Sequence, residues 1–529
     1  MSEIRSIQGR NALCIGEPQK PAPKHWQWVK LDEIARLESG HTPSRLHSEY
    51  WDGDIAWVGI KDARLSHGGT IKDTIQKVTQ LGIANSSARL LPADTVCLSR
   101  TASVGYVVVL GREMSTSQDF VNWVCSPALD PRFLQYLFVA EGDDILRFGK
   151  GSTHTTIYFE AAEQFRVCIP AINEQRRIVA KLDDMLARSK RAKEELAAIP
   201  ALLERYRQSV LAAAFRGDLT ADWRAKTPEV EPASELLKRI RLERRRRWEE
   251  AELERLVAKG KAPTDEKWKG KYEEPSAYAA EGLMPLPMGW TWATWAMIGF
   301  SQNGRPFPSS DYQAEGIKLL RPGNLFSDGS VRWTPTNTKC MPESYEAQNR
   351  DFVVRSGELI MNLTAQSLKD EFLGRTCITA GDETSLLNQR LGRLTPVLVL
   401  PKYVLWLFKS QLVRSYIDNL NTGSLIQHMF TSQVNGFVLP IAPLAEQHAI
   451  VDTIERSIST AGQASLLASE QVDALDALDR TILTRAFRGE LVPQDPNDEP
   501  ASVLLDRIRA ERASAPAKKP GRKPRSPNP

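Results

Sequence analysis

The chain has 529 residues, 42% of them hydrophobic and 25% charged, which at roughly 150 residues per domain predicts three or four folded units and excludes a small scaffold or a wholly disordered chain. Its 69 Lys and Arg against 65 Asp and Glu leave a formal charge of only +4, so any surface for an anionic polymer must be local. The longest apolar stretch, Leu398 to Phe408, is broken by Pro401 and Lys402, no signal-peptide core is present, and the six cysteines form no close pair, so a reduced, cytoplasmic location without a membrane partner is expected.

In chain order, residues 1–23 are an N-terminal extension. Residues 24–169 contain short apolar runs, such as Asp54 to Gly59 and Thr95 to Leu98, punctuated by Gly, Pro, Ser and Asn, the pattern of a mixed α/β domain. Polar loops between the runs carry Thr42, Ser44 and Arg45; Lys61 and Arg64; Arg100 and Ser103; and Lys150, Thr153 and His154. Residues 170–219 place apolar or small side chains at Ile178, Leu182, Met185, Ser189, Ala192, Leu196, Ile199, Leu203, Tyr206, Val210 and Ala213. Steps alternating between 4 and 3 make this a heptad seam, which ends at Phe215-Arg216-Gly217, where Gly suits a left-handed cap. Pro200 removes a donor inside this helix and is expected to kink or interrupt it. A charged helical linker, 220–285, contains Arg244 to Arg247 followed by Glu249 and Glu250; it reads either as a solvated helix face or as a stripe binding phosphate or a partner.

The second half follows the same order. Residues 286–441 form another mixed domain, whose loops carry Arg305 and Ser309, Arg321 and Asn324, Gln366 and Lys369, and Gln427 and His428. Residues 442–491 repeat the seam at Ile450, Ile454, Ser457, Ala461, Ala464, Ala468, Leu475, Leu478 and Ile482 and end at Phe487-Arg488-Gly489. The C-terminal helical segment 492–512 is expected to dock as Ala233 to Arg244 does. The tail 513–529, with Lys518, Lys519, Arg522, Lys523 and Arg525 among prolines, is expected to be disordered and to hold DNA weakly, without sequence preference.

The order repeats because the chain does. Val167 to Val179 (VCIPAINEQRRIV) aligns with Leu439 to Val451 (LPIAPLAEQHAIV) at an offset of 272, and LAAAFRGDL from Leu211 aligns with LTRAFRGEL from Leu483 at the same offset. Glu231 to Arg244 aligns with Glu499 to Arg512 at 268, while Trp26, Trp28, Ile34 and Gly40 align with Trp290, Trp292, Ile298 and Gly304 at 264. Two variable domains are therefore each followed by a copied helix. The equal helix lengths favour an antiparallel pair over two independent surface helices. Arg and Lys neutralise phosphates or grip guanine edges, and Gln and Asn match adenine edges, so the loops are candidate readers of a nucleic acid; ordinary solvated loop side chains are the alternative. No P-loop, amino-methylase signature, HExxH or His/Cys ligand spacing occurs, which predicts a chain without catalytic residues, cofactor or metal of its own.

The paired elements Glu174-Gln175-Arg176-Arg177-Ile178-Val179 and Glu446-Gln447-His448-Ala449-Ile450-Val451 resemble the Pro-x-x-Glu-Gln-x-x-Ile-Val element of type I restriction-modification specificity subunits. The first copy departs from it, with Ala171 where the second has Pro443. The AFRG helix ends, the Trp-x-Trp domain starts and Lys271 to Pro275 extend the resemblance over nearly the whole chain. It implies an α/β (α+β) fold of two target-recognition domains, separated by two long antiparallel helices that form a coiled coil with an internal pseudo-two-fold repeat. It further implies that each domain reads one half of a bipartite, asymmetric double-stranded DNA site. The helices would set the spacer and dock two modification (methyltransferase) subunits, which hold S-adenosylmethionine and methylate adenine N6. Restriction (endonuclease/translocase) subunits would join with ATP and Mg2+. Helix packing would rest on Ile178, Leu182, Leu196, Leu203, Tyr206 and Phe215, and on Ile450, Ile454, Leu475, Leu478, Ile482 and Phe487. A coiled-coil adaptor between proteins, reading no DNA, is the competing class; a self-contained nuclease or methylase is a third.

Overall fold

The computed structural model describes residues 6–101, 103–151, 155–276, 278–279, 282–365, 371–382, 384–420 and 427–514. It divides into two compact units, Met1–Ala197 with Ser469–Pro529, and Ala198–Ala468. Both boundaries fall inside long helices, the first Ile172–Arg216 and the second Leu444–Ala486, each about 65–70 Å long at 1.5 Å per residue. Each unit thus contains one globular domain, the N-terminal half of the helix that starts there, and the C-terminal half of the other.

In the first unit a five-stranded sheet runs in the order Ala35–Ser39, Phe120–Cys125, Val96–Ser99, Val107–Leu110, Thr70–Ile71. The helix Pro131–Glu141 lies in the same core, where Trp123, Phe133, Phe138 and Phe165 are fully buried. In the second unit a corresponding sheet runs Gly299–Asn303, Leu391–Pro396, Leu359–Asn362, Thr376–Ile378, with the helix Pro401–Phe408 in its core. Beside each lies a smaller sheet with a parallel pair: Ser115–Thr116 on Trp51–Val58, and Ser385–Leu387 on Ile317–Leu320. The N-terminal extension is structured: Ile7–Gln8 and Leu13–Ile15 add two antiparallel strands to Phe165–Ile169.

Within each unit the two helix halves run antiparallel. Ile178 and Leu182 share a core with Ile482, Leu483, Ala486 and Phe487, while Val210, Leu211, Ala214 and Phe215 share one with Ile450, Val451 and Ile454. Lys193 on the first helix meets Asp476 and, at 2.7 Å, Asp479 on the second. Burial pulls the lysine pKa down, and the two carboxylates overcome it and raise the pKa above the ordinary value.

Two expected packing residues are corrected. Tyr206 is 47% and Leu478 49% exposed, and the half-buried positions beside them are Arg207 and Asp479. At 3.6 residues per turn, alternating steps of 4 and 3 drift around a straight helix. A step of 4 from Leu203, and from Leu475, keeps the seam on the buried face where a step of 3 leaves it. Leu196, Leu203 and Leu475 are half-buried. The first helix continues through Pro200 without interruption; that residue is exposed, where solvent can satisfy the carbonyl left unpaired one turn earlier.

The paired Glu-Gln elements are the anchors of the helices. Glu174 accepts the indole N–H of Trp26 at 3.0 Å, and Glu446 that of Trp290 at 2.8 Å. Gln175 accepts the backbone N–H of Asp130 at 2.9 Å, Gln447 that of Leu400 at 3.0 Å, and each donates to carbonyls at its own helix start. The far ends dock equivalently: Phe487 packs on Phe133 with ring centroids 5.2 Å apart, and Phe215 on Tyr403 at 5.5 Å. Gly217 closes its helix at φ 82°, where a Cβ would stand 2.4 Å from the Pro287 side chain, so only Gly fits. The helices Ala233–Ala258 and Ala501–Ser514 pack on matching short helices, Trp295–Ile298 and Leu31–Ile34.

The Glu446→Ala variant removes the acceptor shared by Trp290, Thr220 and Arg224. It should cost about 3–5 kcal/mol in denaturant unfolding, with Glu446→Gln milder; a loss below about 1 kcal/mol would refute the anchor. Glu141 accepts the backbone N–H groups of Arg10 and Asn11 at 2.6 and 3.0 Å, and burial pushes its pKa from 4.5 to about 7. The folded state therefore holds this proton more tightly than the unfolded chain. The resulting stability, up to about 3 kcal/mol, is fully present below pH 4.5 and lost as pH rises through 7. Glu141→Gln should flatten that part of the stability profile, and an unaltered slope between pH 4.5 and 7 would contradict it.

Candidate nucleic-acid interface

The loops singled out in the sequence surround one backbone frame, built twice. In the first domain the His41 N–H donates to the Thr116 carbonyl at 2.9 Å, the Ser117 N–H to Val58 at 3.0 Å, and the Phe120 N–H to Ser117 at 3.2 Å. In the second domain the same bonds run from Arg305 to Leu387 at 3.1 Å, from Asn388 to Leu320 at 3.2 Å, and from Leu391 to Asn388 at 2.9 Å. Gly40 and Gly304 permit the approach: a Cβ on either would lie 1.9 or 2.1 Å from the carbonyl oxygen of Ser117 or Asn388. The turn after Val58 is capped by Asp62, which accepts the Gly59 N–H at 2.9 Å, and the turn after Leu320 by Asn324, which accepts the Arg321 N–H at 2.9 Å.

That role corrects the reading of Asn324. It is fully buried, and its carboxamide also donates to the Arg332 carbonyl, so it shapes the loop from within and presents nothing to a ligand.

In the first domain, Thr42 donates to the side chain of Gln118, and Arg100 donates through Nε to the Gln118 carbonyl at 3.1 Å. Lys150 lies on a turn bridged to Thr156, and the next N–H, of Ile157, donates to the Arg100 carbonyl at 2.9 Å. Arg45 lies over the Trp51 ring at 4.4 Å, and Trp57 beside it donates to the His41 carbonyl at 3.2 Å. Ser44, Lys61 and Arg64 are exposed. The frame thus brings Thr42, Arg100 and Lys150 together with Gln118. Ser103 lines a separate cavity of about 370 Å³ with His67 and Tyr106.

In the second domain, Arg321 lines a cavity of about 480 Å³ with Phe307, Tyr312, Asn337, Gln389 and Arg390. Arg305 bonds Asn349 and lies 5.7 Å over the Phe307 ring. Ser309 is exposed on the same loop, and His428 pairs with Thr364 across a two-stranded ladder, Nδ1 to Oγ1 3.2 Å. Thr153, His154, Gln366, Lys369 and the Gln427 side chain lie outside what is described.

Sequence reasoning missed Gln118, Gln389 and Arg390. Gln118 and Gln389 stand 271 residues apart, between blocks that align at 264 and at 272; the signal was the repeat itself, once its insertions are placed. Among the described residues no group of three His, Cys, Asp or Glu side chains could hold a metal ion, and no helix is long and apolar enough to cross a membrane.

The family described as type I restriction modification DNA specificity domain matches residues 23–201. The EcoAI specificity subunit of Escherichia coli is 29% identical over 508 residues, 84% of this chain and 80% of that protein. The EcoDI specificity subunit of Escherichia coli is 25% identical over 523 residues, 95% and 98% of the two chains. The MjaIX specificity subunit of Methanocaldococcus jannaschii is 28% identical over 179 residues, 33% of this chain and 41% of that protein. Among solved structures, one describing assembly and conformational transition of the type I R-M system has a TM-score of 0.60 at 18% identity, covering 89% of this chain and all of that one. The HsdS subunit from Thermoanaerobacter tengcongensis has a TM-score of 0.52 at 18% identity, covering 90% of this chain and all of that one. With the duplicated anchors and the twice-built loop frame on the page, the chain is similar over most of its length to type I restriction-modification specificity subunits.

Proposed function

We propose that the chain is the DNA sequence-specificity subunit of a type I restriction-modification complex, with each globular domain reading one half of a bipartite, asymmetric duplex site. The observation that carries this reading is the loop frame, one backbone scaffold presenting different side chains in the two domains. Gly59 in one is Arg321 in the other, and Asp119 in one is Arg390 in the other, at equivalent steps of the frame. Such an arrangement suits two readers of one polymer that take different sequences. Arg45, Lys61, Arg64, Arg100 and Lys150 in the first domain, and Arg305, Arg321 and Arg390 in the second, supply the charge that phosphate and guanine contacts need. A protein–protein adaptor would leave this convergence of cations and amides around one turn without a purpose.

The chain itself would be non-catalytic. The two modification subunits would bring S-adenosylmethionine, and the restriction subunits ATP and Mg2+, as the family resemblance implies. Leu202 and Tyr206 on the first helix and Leu466 and Leu467 on the second are 47–62% exposed, and such apolar patches suit partner docking. The helices would set the spacer between half-sites.

Exchanging residues 286–441 for the matching domain of a relative should change one half of the methylated site and leave the other half untouched, read by methylome sequencing of cells carrying the complex. Methylation at scattered, unrelated sites would refute the reading. Inserting seven residues after Ala197 and seven after Ala468 preserves the seam and lengthens both helices by about 10 Å. The tolerated spacer should grow by about three base pairs at 3.4 Å each; an unchanged spacer would exclude the helices as its determinant.

A further inference from the structure

We propose that Gln118 and Gln389 are equivalent base-reading side chains, each meeting an adenine edge in its own half-site; this rests on the DNA-reading function above. Both stand at the middle of the turn that the shared frame fixes, and both are exposed. Their neighbours are turned inward in the same way. Ser117 Oγ accepts the Asp119 N–H at 3.2 Å, and Asn388 Oδ1 accepts the Arg390 N–H at 3.1 Å. The residue before each glutamine thus fastens the residue after it. The glutamine side chain is left as the group that a closed, backbone-built turn presents outward. In the first domain Thr42 donates to Gln118 Oε1, which keeps a second lone pair and leaves Nε2 to donate, and Arg100 donates to the Gln118 backbone carbonyl; in the second Gln389 rims the cavity that Arg321 and Arg390 share. Cations therefore stand beside both glutamines, where a duplex would bring its phosphates.

A side chain kept at one place in two otherwise different readers cannot tell the half-sites apart. It suits a feature they have in common. Since a base drawn out of the helix for chemistry offers no groove edge, the common feature that a carboxamide fits is an adenine that stays stacked in each half-site. A carboxamide matches its major-groove edge in both senses: Oε1 accepts from the N6 amino group and Nε2 donates to N7. Loss of such a bidentate contact lowers affinity about 10- to 100-fold.

The test uses the chain assembled with its modification subunits and the duplex identified by methylome sequencing, with each adenine replaced in turn by 7-deazaadenine, which lacks the N7 acceptor. For the wild type, one replacement in each half-site should weaken binding several-fold or more. Gln118→Ala should abolish that penalty in one half-site only, and Gln389→Ala in the other only, each with about 10- to 100-fold weaker binding to the unmodified duplex. Because the turn is held by backbone bonds, both variants should keep the wild-type melting temperature, and Gln→Glu at each position supplies a second variant of equal size that lacks the donor. Variants that bind as the wild type does, that keep every penalty, or that both affect the same half-site would overturn the proposal while sequence preference by the complex stands. A wild-type complex with no sequence preference would overturn the DNA-reading function and this inference together.

Discussion

The structure depends on a buried carboxylate placed in the first turn of each long helix. Glu174 and Glu446 are almost wholly removed from solvent, and a carboxylate so placed is tolerable only with donors aimed at it. Trp26 and Trp290, immediately before the strands Gln27–Lys30 and Thr291–Thr294, supply them. The adjacent Gln175 and Gln447 reach the starts of the helices at Pro131 and Pro401. Two consecutive polar side chains thereby tie a helix to both a strand and a helix of its domain. The direction in which the helix leaves its domain follows from these bonds.

The two anchors are equivalent without being identical. Around Glu446, Thr220 and Arg224 come from the segment that follows the first long helix. Near Glu174, Arg177 reaches Asp498 at 2.7 Å, from the segment that follows the second. Each anchor is thus completed by chain arriving from the end of the other helix, which couples the start of one rod to the termination of its partner. The same reciprocity holds for Phe487 on Phe133 and Phe215 on Tyr403. A duplicated sequence becomes a closed exchange in which neither half is complete without the other copy's helix end.

The repeat, the mixed domains, the two helices and their ends were legible because they are written as periodicity and as an ungapped offset. The phase of the seam was less legible. A step of 3 or 4 looks equally apolar when Tyr206 and Leu478 are available, and only packing shows that Arg207 and Asp479 hold the half-buried positions. Pro200 was misleading for a related reason: a local cost of about 3 kcal/mol does not break a long helix whose two ends are packed into globular cores. The N-terminal strands were missed because two- and three-residue pairings carry no periodicity. Their fixing point, Glu141, lies 130 residues away in sequence.

The interface was read in part for a different physical reason. Charge and amide content identify loops, yet whether a polar side chain faces outward is decided by backbone turns that composition does not record. Asn324 and Gln389 are both carboxamides in the same domain; the first is buried as a cap and the second is exposed at a turn. Asp62 performs the same capping as Asn324, so at that position an acid and an amide are interchangeable and neither reports on a ligand. What separates the two kinds of residue is the source of the fastening. Where side chains close the turn, as Asp62 and Asn324 do, the loop is held from inside. Where backbone and flanking residues close it, the central side chain is released for recognition, and its chemistry can be read as function.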